Sequence, residues 1–394
     1  NVTLANDNTF SGDWQIDGVL NASGNGQLAD SHGMEVDGTL NLNGLSGLNR
    51  VLTGTGALNI NDASDFTFGS NTGAGFTGSV NLANSNYTLS ADNATAVANA
   101  TLVNQSGSTL DVTDSDTAVK NLTLDGGKTQ FTNTSTITTG ELKVNNPGEI
   151  SVDYEDGVEG NLLDQNAGIS RQLIAADNSL QQADLDNLTL LDQNGDNLGA
   201  NTLLDIEQNG SKVAEGTYDF DVDGTNGLRI TSSLIKLALA SDATVSLDTL
   251  NANNQTFTAL ITGQGNLSLN ANNATLVLNN SANNYQGKTL INSGTVQSGS
   301  DNALGSTSDL TLEQGTTFDL NGKAQSIDGA IHNSGSLLIN GGTFSSGSLL
   351  TNSGSLSVGS GKLVTDGIAN SGGSITLAAK GTLTNSQNLD NSGA

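Results

Sequence analysis

Two histidines, a dense run of acids, an alternating aspartate triplet and three spaced lysines are the residues whose chemistry stands out in this chain. Nucleophilic catalysis would need a base such as histidine beside a serine, threonine or cysteine. Only His32 and His332 are present, and there is no cysteine. Neither histidine lies near a Gly-x-Ser-x-Gly elbow. His332 precedes an Asn-Ser-Gly tripeptide and is expected at a surface turn. Paired carboxylates cut glycosidic bonds when two of them straddle the bond. Asp153, Glu155, Asp156 and Glu159 are dense enough for that, but consecutive acids on a loop are ordinarily solvated. Lyase chemistry would also need a basic residue nearby, and Arg50, Arg171 and Arg229 are scattered.

The stretch Asp219-Phe220-Asp221-Val222-Asp223-Gly224 spells D-x-D-x-D-G. Oxygen-rich clusters of this spacing suit Ca²⁺, a hard cation that takes several oxygens. The twelfth position of an EF-hand loop should be Glu, and here it is Ile230. On a strand the three carboxylates would line one exposed face and repel one another unless a cation intervened. No other cofactor is implied by the sequence. Lys323, Lys362 and Lys380 lie 10, 8 and 11 residues before successive repeat signatures. If equivalent coil positions stack, they would form a partial basic stripe able to bind an acidic glycan. Isolated lysines also keep sheet edges soluble, so the pattern has a purely structural reading.

The elements that must carry these residues are set by a repeat. Asn-Ser-Gly begins at Asn333, Asn352, Asn370 and Asn391, at steps of 19, 18 and 21, with a further copy at Asn292. A fixed period near 20 signals one supersecondary unit stacked many times. Apolar residues alternate with small polar ones, as in Leu40-Asn41-Leu42 and Leu267-Ser268-Leu269, which is the pattern of a strand with one buried face. Leu20, Leu40 and Leu58 each lead such a strand. Each unit cannot bury its apolar face alone, so neighbours must stack. The fold class is therefore all-β: a parallel β-helix, or β-solenoid, with one irregular acidic segment. Residues 1–144 and 241–394 are regular coils. Residues 145–240 are irregular or protruding; there Ile169, Leu173, Ala176, Leu180 and Ala183 form a short helical stripe at steps of 4 and 3, and strand pairs return at Leu188/Leu190 and across Tyr218–Ile230.

Composition narrows the partners. The net charge is −28, from 40 acidic and 12 basic residues. A field of that sign disfavours nucleic acid and anionic membranes. No run approaches the roughly 18 apolar residues of a spanning helix. Cysteine is absent, which excludes disulfides and thiolate chemistry. No signal peptide is evident, which suggests a mature or trimmed chain. The last residues, Asn391-Ser392-Gly393-Ala394, stop inside a repeat, and the natural protein is expected to continue beyond them.

The stretch Asn284-Tyr285-Gln286-Gly287-Lys288-Thr289-Leu290-Ile291-Asn292-Ser293-Gly294-Thr295-Val296, followed by Ala303-Leu304-Gly305, Leu310-Thr311-Leu312 and Phe318-Asp319-Leu320-Asn321-Gly322, resembles the passenger-associated repeat of bacterial autotransporters. Val296 stands where that pattern has Leu. Weaker echoes lie at Phe76–Leu82 and Phe10–Ile16. The resemblance covers about 40 residues strongly and implies a right-handed β-helix exported through a C-terminal barrel and displayed on a Gram-negative surface. It further implies an adhesin rather than an enzyme. Identical chains on neighbouring cells are the expected partners, with host glycans or matrix proteins as alternatives. A polysaccharide hydrolase or lyase of the same fold is the reading from another class.

Overall fold

The structure, a computed structural model, describes residues 1–28, 32–153, 161–250 and 253–393. The chain is a β-solenoid of about 19 turns built from parallel strands. It forms two compact units. One comprises Asn1–Glu155, Ser170–Gly199 and Asp221–Thr231; the other comprises Asp156–Ile169, Ala200–Phe220 and Ser232–Ala394. The chain passes between them only within residues 155–232, inside the block the sequence marks as irregular.

In the first unit the leading strand of each coil stacks on that of the coil before. Leu20, Leu40, Leu58, Val80, Leu102, Leu122 and Leu142 are successive partners in one column. Every member is buried. A buried Val or Leu contributes about 1.5–3 kcal/mol, so a column of seven is a large share of the unit's stability. The residue between the two buried positions of each strand, such as Asn41 between Leu40 and Leu42, points outward, because side chains alternate across a strand. Coil corners demand glycine: a Cβ on Gly56 would lie 2.1 Å from the Gly38 carbonyl oxygen. Past each corner the chain enters a second sheet, Asn86–Leu89, Thr109–Val112, Lys128–Phe131, Gly148–Val152 and Leu188–Asp192, again parallel throughout.

In the second unit the Asn-Ser-Gly signature acquires a physical meaning. Asn333, Asn352, Asn370 and Asn391 are direct partners in one column. The first three are each 1% exposed. Asn333 Nδ2 donates to Asn352 Oδ1 at 2.7 Å, Asn352 to Asn370 at 2.6 Å and Asn370 to Asn391 at 2.6 Å. Asn352 Nδ2 also reaches the Ser374 carbonyl at 3.1 Å. A buried amide is costly unless it is bonded, and here each amide satisfies the next. The ladder begins where its neighbour changes type: the coil before Asn333 presents Leu312, and Asn333 Oδ1 has no partner. Asn292 is not a rung. A register shift puts Ile291 in the column and leaves Asn292 exposed, donating to Ser268 Oγ at 2.6 Å.

The passenger-type motif is likewise structural. Tyr285 is fully buried, with its hydroxyl 2.7 Å from Thr289 Oγ1, which is 2.9 Å from Thr307 Oγ1. Burial pushes the Tyr285 hydroxyl well above the ordinary phenol range. A Cβ on Gly287 would sit 1.9 Å from the Gly265 carbonyl oxygen. Asn283, which the sequence reading passed over, accepts from Ile261 N at 2.8 Å and donates to the Ala303 carbonyl at 2.8 Å, so one side chain ties three coils.

The expected helical stripe is a strand. Ile169–Ala176 pairs parallel with Ile137–Asn146, Ile137 opposite Ile174. Among the described residues α-helix is confined to Leu162–Ala167 on one side of it and Gln182–Leu185, which holds Ala183, on the other. Leu173 and Ile174, neighbours on opposite faces of the strand, are both fully buried, which breaks the strand's alternation there. Strands return at Leu188–Asp192, Ser211–Asp223 and Gly227–Leu239, as expected. Thr202–Gln208 pairs antiparallel with Ser211–Asp223. Asn209 and Gly210, both at positive φ, make the two-residue turn between them, the combination a tight hairpin prefers.

Replacing Asn352 with Ala should strand Asn370 Oδ1 and leave Asn333 Nδ2 with only the Ser355 carbonyl at 2.8 Å, costing about 1–3 kcal/mol for the buried group left unpaired. Amide hydrogen exchange should accelerate in the coils around residues 330–390 and stay unchanged in residues 1–150, because solenoid coils couple chiefly to their neighbours. Unchanged exchange near Asn352 would contradict the ladder's structural role.

Candidate functional site

The outward side of the long sheet in the first unit carries a second amide ladder. Asn41 Nδ2 donates to Asn21 Oδ1 at 2.6 Å, Asn59 to Asn41 at 2.8 Å and Asn81 to Asn59 at 2.7 Å. Asn21 continues it to Asn1 at 2.9 Å. A neighbouring outward column repeats the arrangement, Asn61 Nδ2 donating to Asn43 Oδ1 at 2.9 Å. These asparagines are half-buried, unlike those of the Asn333 ladder. An asparagine amide has two N–H donors and two acceptor lone pairs, and the ladder uses one of each. At Asn41 and Asn59 the remaining donor and acceptor recur at the strand spacing of about 4.8 Å, whereas Asn21 also donates to the Val2 carbonyl and Thr3 Oγ1 and Asn81 to Ser79 Oγ. The column ends at Val103, Thr123 and Lys143.

The sites read from the sequence fall as follows. Lys362 occupies the column Ala324, Thr343, Lys362, Thr382. Lys323 lies one residue before that column, after the turn at Asn321-Gly322, and Lys380 two residues before it, so the three lysines hold three different coil positions. Asp219, Asp221 and Asp223 share the strand Ser211–Asp223. Each carboxylate accepts a nearby backbone N–H: Asp219 from Asn201 at 2.9 Å, Asp221 from Val222 at 2.8 Å and Asp223 from Thr225 at 2.8 Å. The bonds from Thr225 hold the Asp223 carboxyl below the usual range. Among the described residues no group of three or more His, Asp or Glu is gathered around a point where a metal ion would sit. Glu155, Asp156 and Glu159 lie outside the described residues. Asp153 sits just past the strand Gly148–Val152. Arg171 donates to the Thr132 carbonyl, and Arg229 to Ser170 Oγ at 3.3 Å.

His332 is on a strand, Ala330–Asn333, rather than at a turn. The residue before it, Ile331, is a fully buried column member, which fixes His332 outward. Its Nε2 is 3.4 Å from Asp309 Oδ1 and its Nδ1 is 2.9 Å from Thr351 Oγ1. Lys288 Nζ approaches the other oxygen of Asp309 at 3.8 Å. The chain of contacts links successive coils on a half-exposed face. His32 lies in the first unit, its Nδ1 2.7 Å from the Ser11 carbonyl.

On the second sheet of the first unit, Asp111 is partly buried, and burial raises its carboxyl above the usual range while Lys128 partly offsets this. Lys128 and Asp111 belong to adjacent strands in register.

No family model matches the chain, and no solved structure matches it. Similar curated proteins include two from Escherichia coli K12. The uncharacterized protein YuaQ is 30% identical over 320 residues, covering 74% of this chain and 23% of the relative. The uncharacterized lipoprotein YdeK is 29% identical over 382 residues, covering 86% of this chain and 28% of the relative. The chain therefore spans about a quarter of the length of these relatives.

The Asp111 shift has a definite sign. A carboxyl whose value is higher folded than unfolded opposes folding once it is ionised. The stability is greatest below the unfolded value and declines as pH rises through the interval up to the folded one. Asp111→Asn should therefore raise the melting temperature at neutral pH, with the gain vanishing as the wild-type carboxyl protonates in acid. Equal melting temperatures at every pH would contradict the assignment.

Proposed function

We propose that this chain is part of a bacterial cell-envelope adhesin that binds identical chains on neighbouring cells. The observation that carries this reading is the outward amide ladder Asn21–Asn41–Asn59–Asn81. A second copy has the same strand spacing, so its ladder is commensurate with this one over several rungs. The inner rungs Asn41 and Asn59 each bring a donor and an acceptor that the ladder does not use, and a net hydrogen bond of this kind contributes about 0.5–1.5 kcal/mol. One pair of faces is then weak, but many chains on two cell surfaces multiply the effect without new contacts. Neutral amides suit a chain of charge −28, because they allow close approach without adding like charge at the contact.

The placement in the envelope is supported by two things. One relative carries the name lipoprotein, a class held at membranes by a lipid anchor. The Tyr285–Gly322 stretch resembles the passenger repeat of autotransporters, which are exported and displayed at the outer surface. The reading is one of binding and involves no turnover of substrate.

Cells displaying this chain should clump and settle. Asn41→Thr, Asn59→Thr and Asn81→Thr together keep an outward, strand-favouring residue at each rung and remove the amides, and the triple variant should settle at least about tenfold more slowly. Circular dichroism should show the fold unchanged. Clumping equal to wild type in the variant, or wild-type cells that stay dispersed, would overturn the reading.

A further inference from the structure

Apart from the amide ladder, the first unit has a trough of 530 Å³ at the corner between its two sheets. Volumes of roughly 300–1,000 Å³ suit small-molecule ligands. Three successive coils build one wall from small residues at the corner, Gly107, Gly126 and Gly148, two of them at positive φ (79° and 92°). The neighbouring coils press against these corners: a Cβ on Gly148 would lie 2.8 Å from the Gly127 carbonyl oxygen and one on Gly107 2.4 Å from Asn84 Oδ1. Pro147, the chain's one proline, is exposed beside them and presents an apolar ring.

The strands that follow these corners present a single outward column: Thr109, Lys128, Glu149 and Thr189 are successive register partners. It reads hydroxyl, ammonium, carboxylate, hydroxyl, at intervals of about 4.8 Å. Lys128 and Glu149 are adjacent rungs, yet among the described residues neither forms an ion pair. Glu149 is exposed and Lys128 half-buried, with Lys128 near enough to Asp111 to act on its carboxyl.

We propose that this trough is a binding site for a neutral saccharide. An ammonium only donates and a carboxylate only accepts, whereas a sugar hydroxyl does both. Two neighbouring hydroxyls of one ring can accept from Lys128 and donate to Glu149, and charge-assisted bonds of this kind are about twice as strong as neutral ones. Thr109 and Thr189 extend the row to flanking hydroxyls. The C–H face of the ring packs on Pro147 and the glycine corner. The paired charges cancel, so the ligand needs none of its own. An anionic ligand would meet Glu149, the nearby Asp111 and a chain of charge −28. The site is separate from the amide ladder and does not depend on self-association.

The test uses the full chain on immobilised neutral oligosaccharides ending in galactose, glucose or N-acetylglucosamine, beside carboxylated and sulfated counterparts. The wild type should bind neutral members. Lys128→Met and Glu149→Ala should each weaken that binding at least tenfold, and Thr189→Tyr, which fills the trough without touching either charge, should do the same. Asn41→Thr/Asn59→Thr/Asn81→Thr and Lys323→Ala/Lys362→Ala/Lys380→Ala should leave it unchanged. Melting curves identify any variant that fails to fold, and the remaining trough variants then decide. No binding to neutral sugars, binding confined to anionic ones, or binding that survives in the folded trough variants would overturn the proposal.

Discussion

The structure depends on one constraint: the strands of successive coils are hydrogen-bonded in parallel register, so their side chains are sorted into columns at the strand spacing. A column is apolar, or it is polar and self-satisfying, or it faces out. Inside the core the third choice is closed. That is why apolar residues stack on one another from Leu20 to Leu142, and why the asparagines admitted to the interior of the second unit bond to one another. Asn352 is tolerated at 1% exposure because Asn333 and Asn370 sit above and below it. The same rule places glycine at the corners, where the backbone of one coil occupies the space a Cβ would need on the next.

The two amide ladders show how one device serves two ends. Turned inward, between Asn333 and Asn391, it fastens coils without filling the core with hydrocarbon. Turned outward, between Asn21 and Asn81, it makes a periodic polar surface whose spacing the backbone sets. The trough at Lys128 and Glu149 follows the same logic with different residues. A column of unlike groups at fixed intervals becomes a recognition row along the trough. Functional surfaces in such a fold are thus written down the columns, across residues about 20 positions apart in the chain.

Much of this was legible in the sequence. The Asn-Ser-Gly steps and the alternation around Leu40 and Leu267 point to stacked parallel strands. What was missed has a common cause. Coil length varies between 18 and 22 residues along the leucine column, so counting residues does not give register. Asn292 falls out of the asparagine column through a register shift, Lys323, Lys362 and Lys380 divide among three positions, and Lys128 and Glu149 were not seen as neighbours. The run from Ile169 was taken for a helix because a strand buried on both faces loses its alternation. His332 was placed at a turn because the Asn-Ser-Gly beside it was read as the turn itself, whereas its asparagine is the last residue of a strand.

The column arrangement is tested most directly by engineered cross-links, and the chain's lack of cysteine makes the experiment clean. Ser336 and Ser355 are register partners on adjacent coils, and a strand separation of about 4.8 Å lies within the Cα range of a disulfide, about 4.4–6.8 Å. Ser336→Cys/Ser355→Cys should oxidise to a single intrachain bond under mild conditions. Ser336→Cys/Thr376→Cys, two coils apart, should remain reduced. Equal oxidation of the two pairs, or bonding in the second alone, would contradict the account.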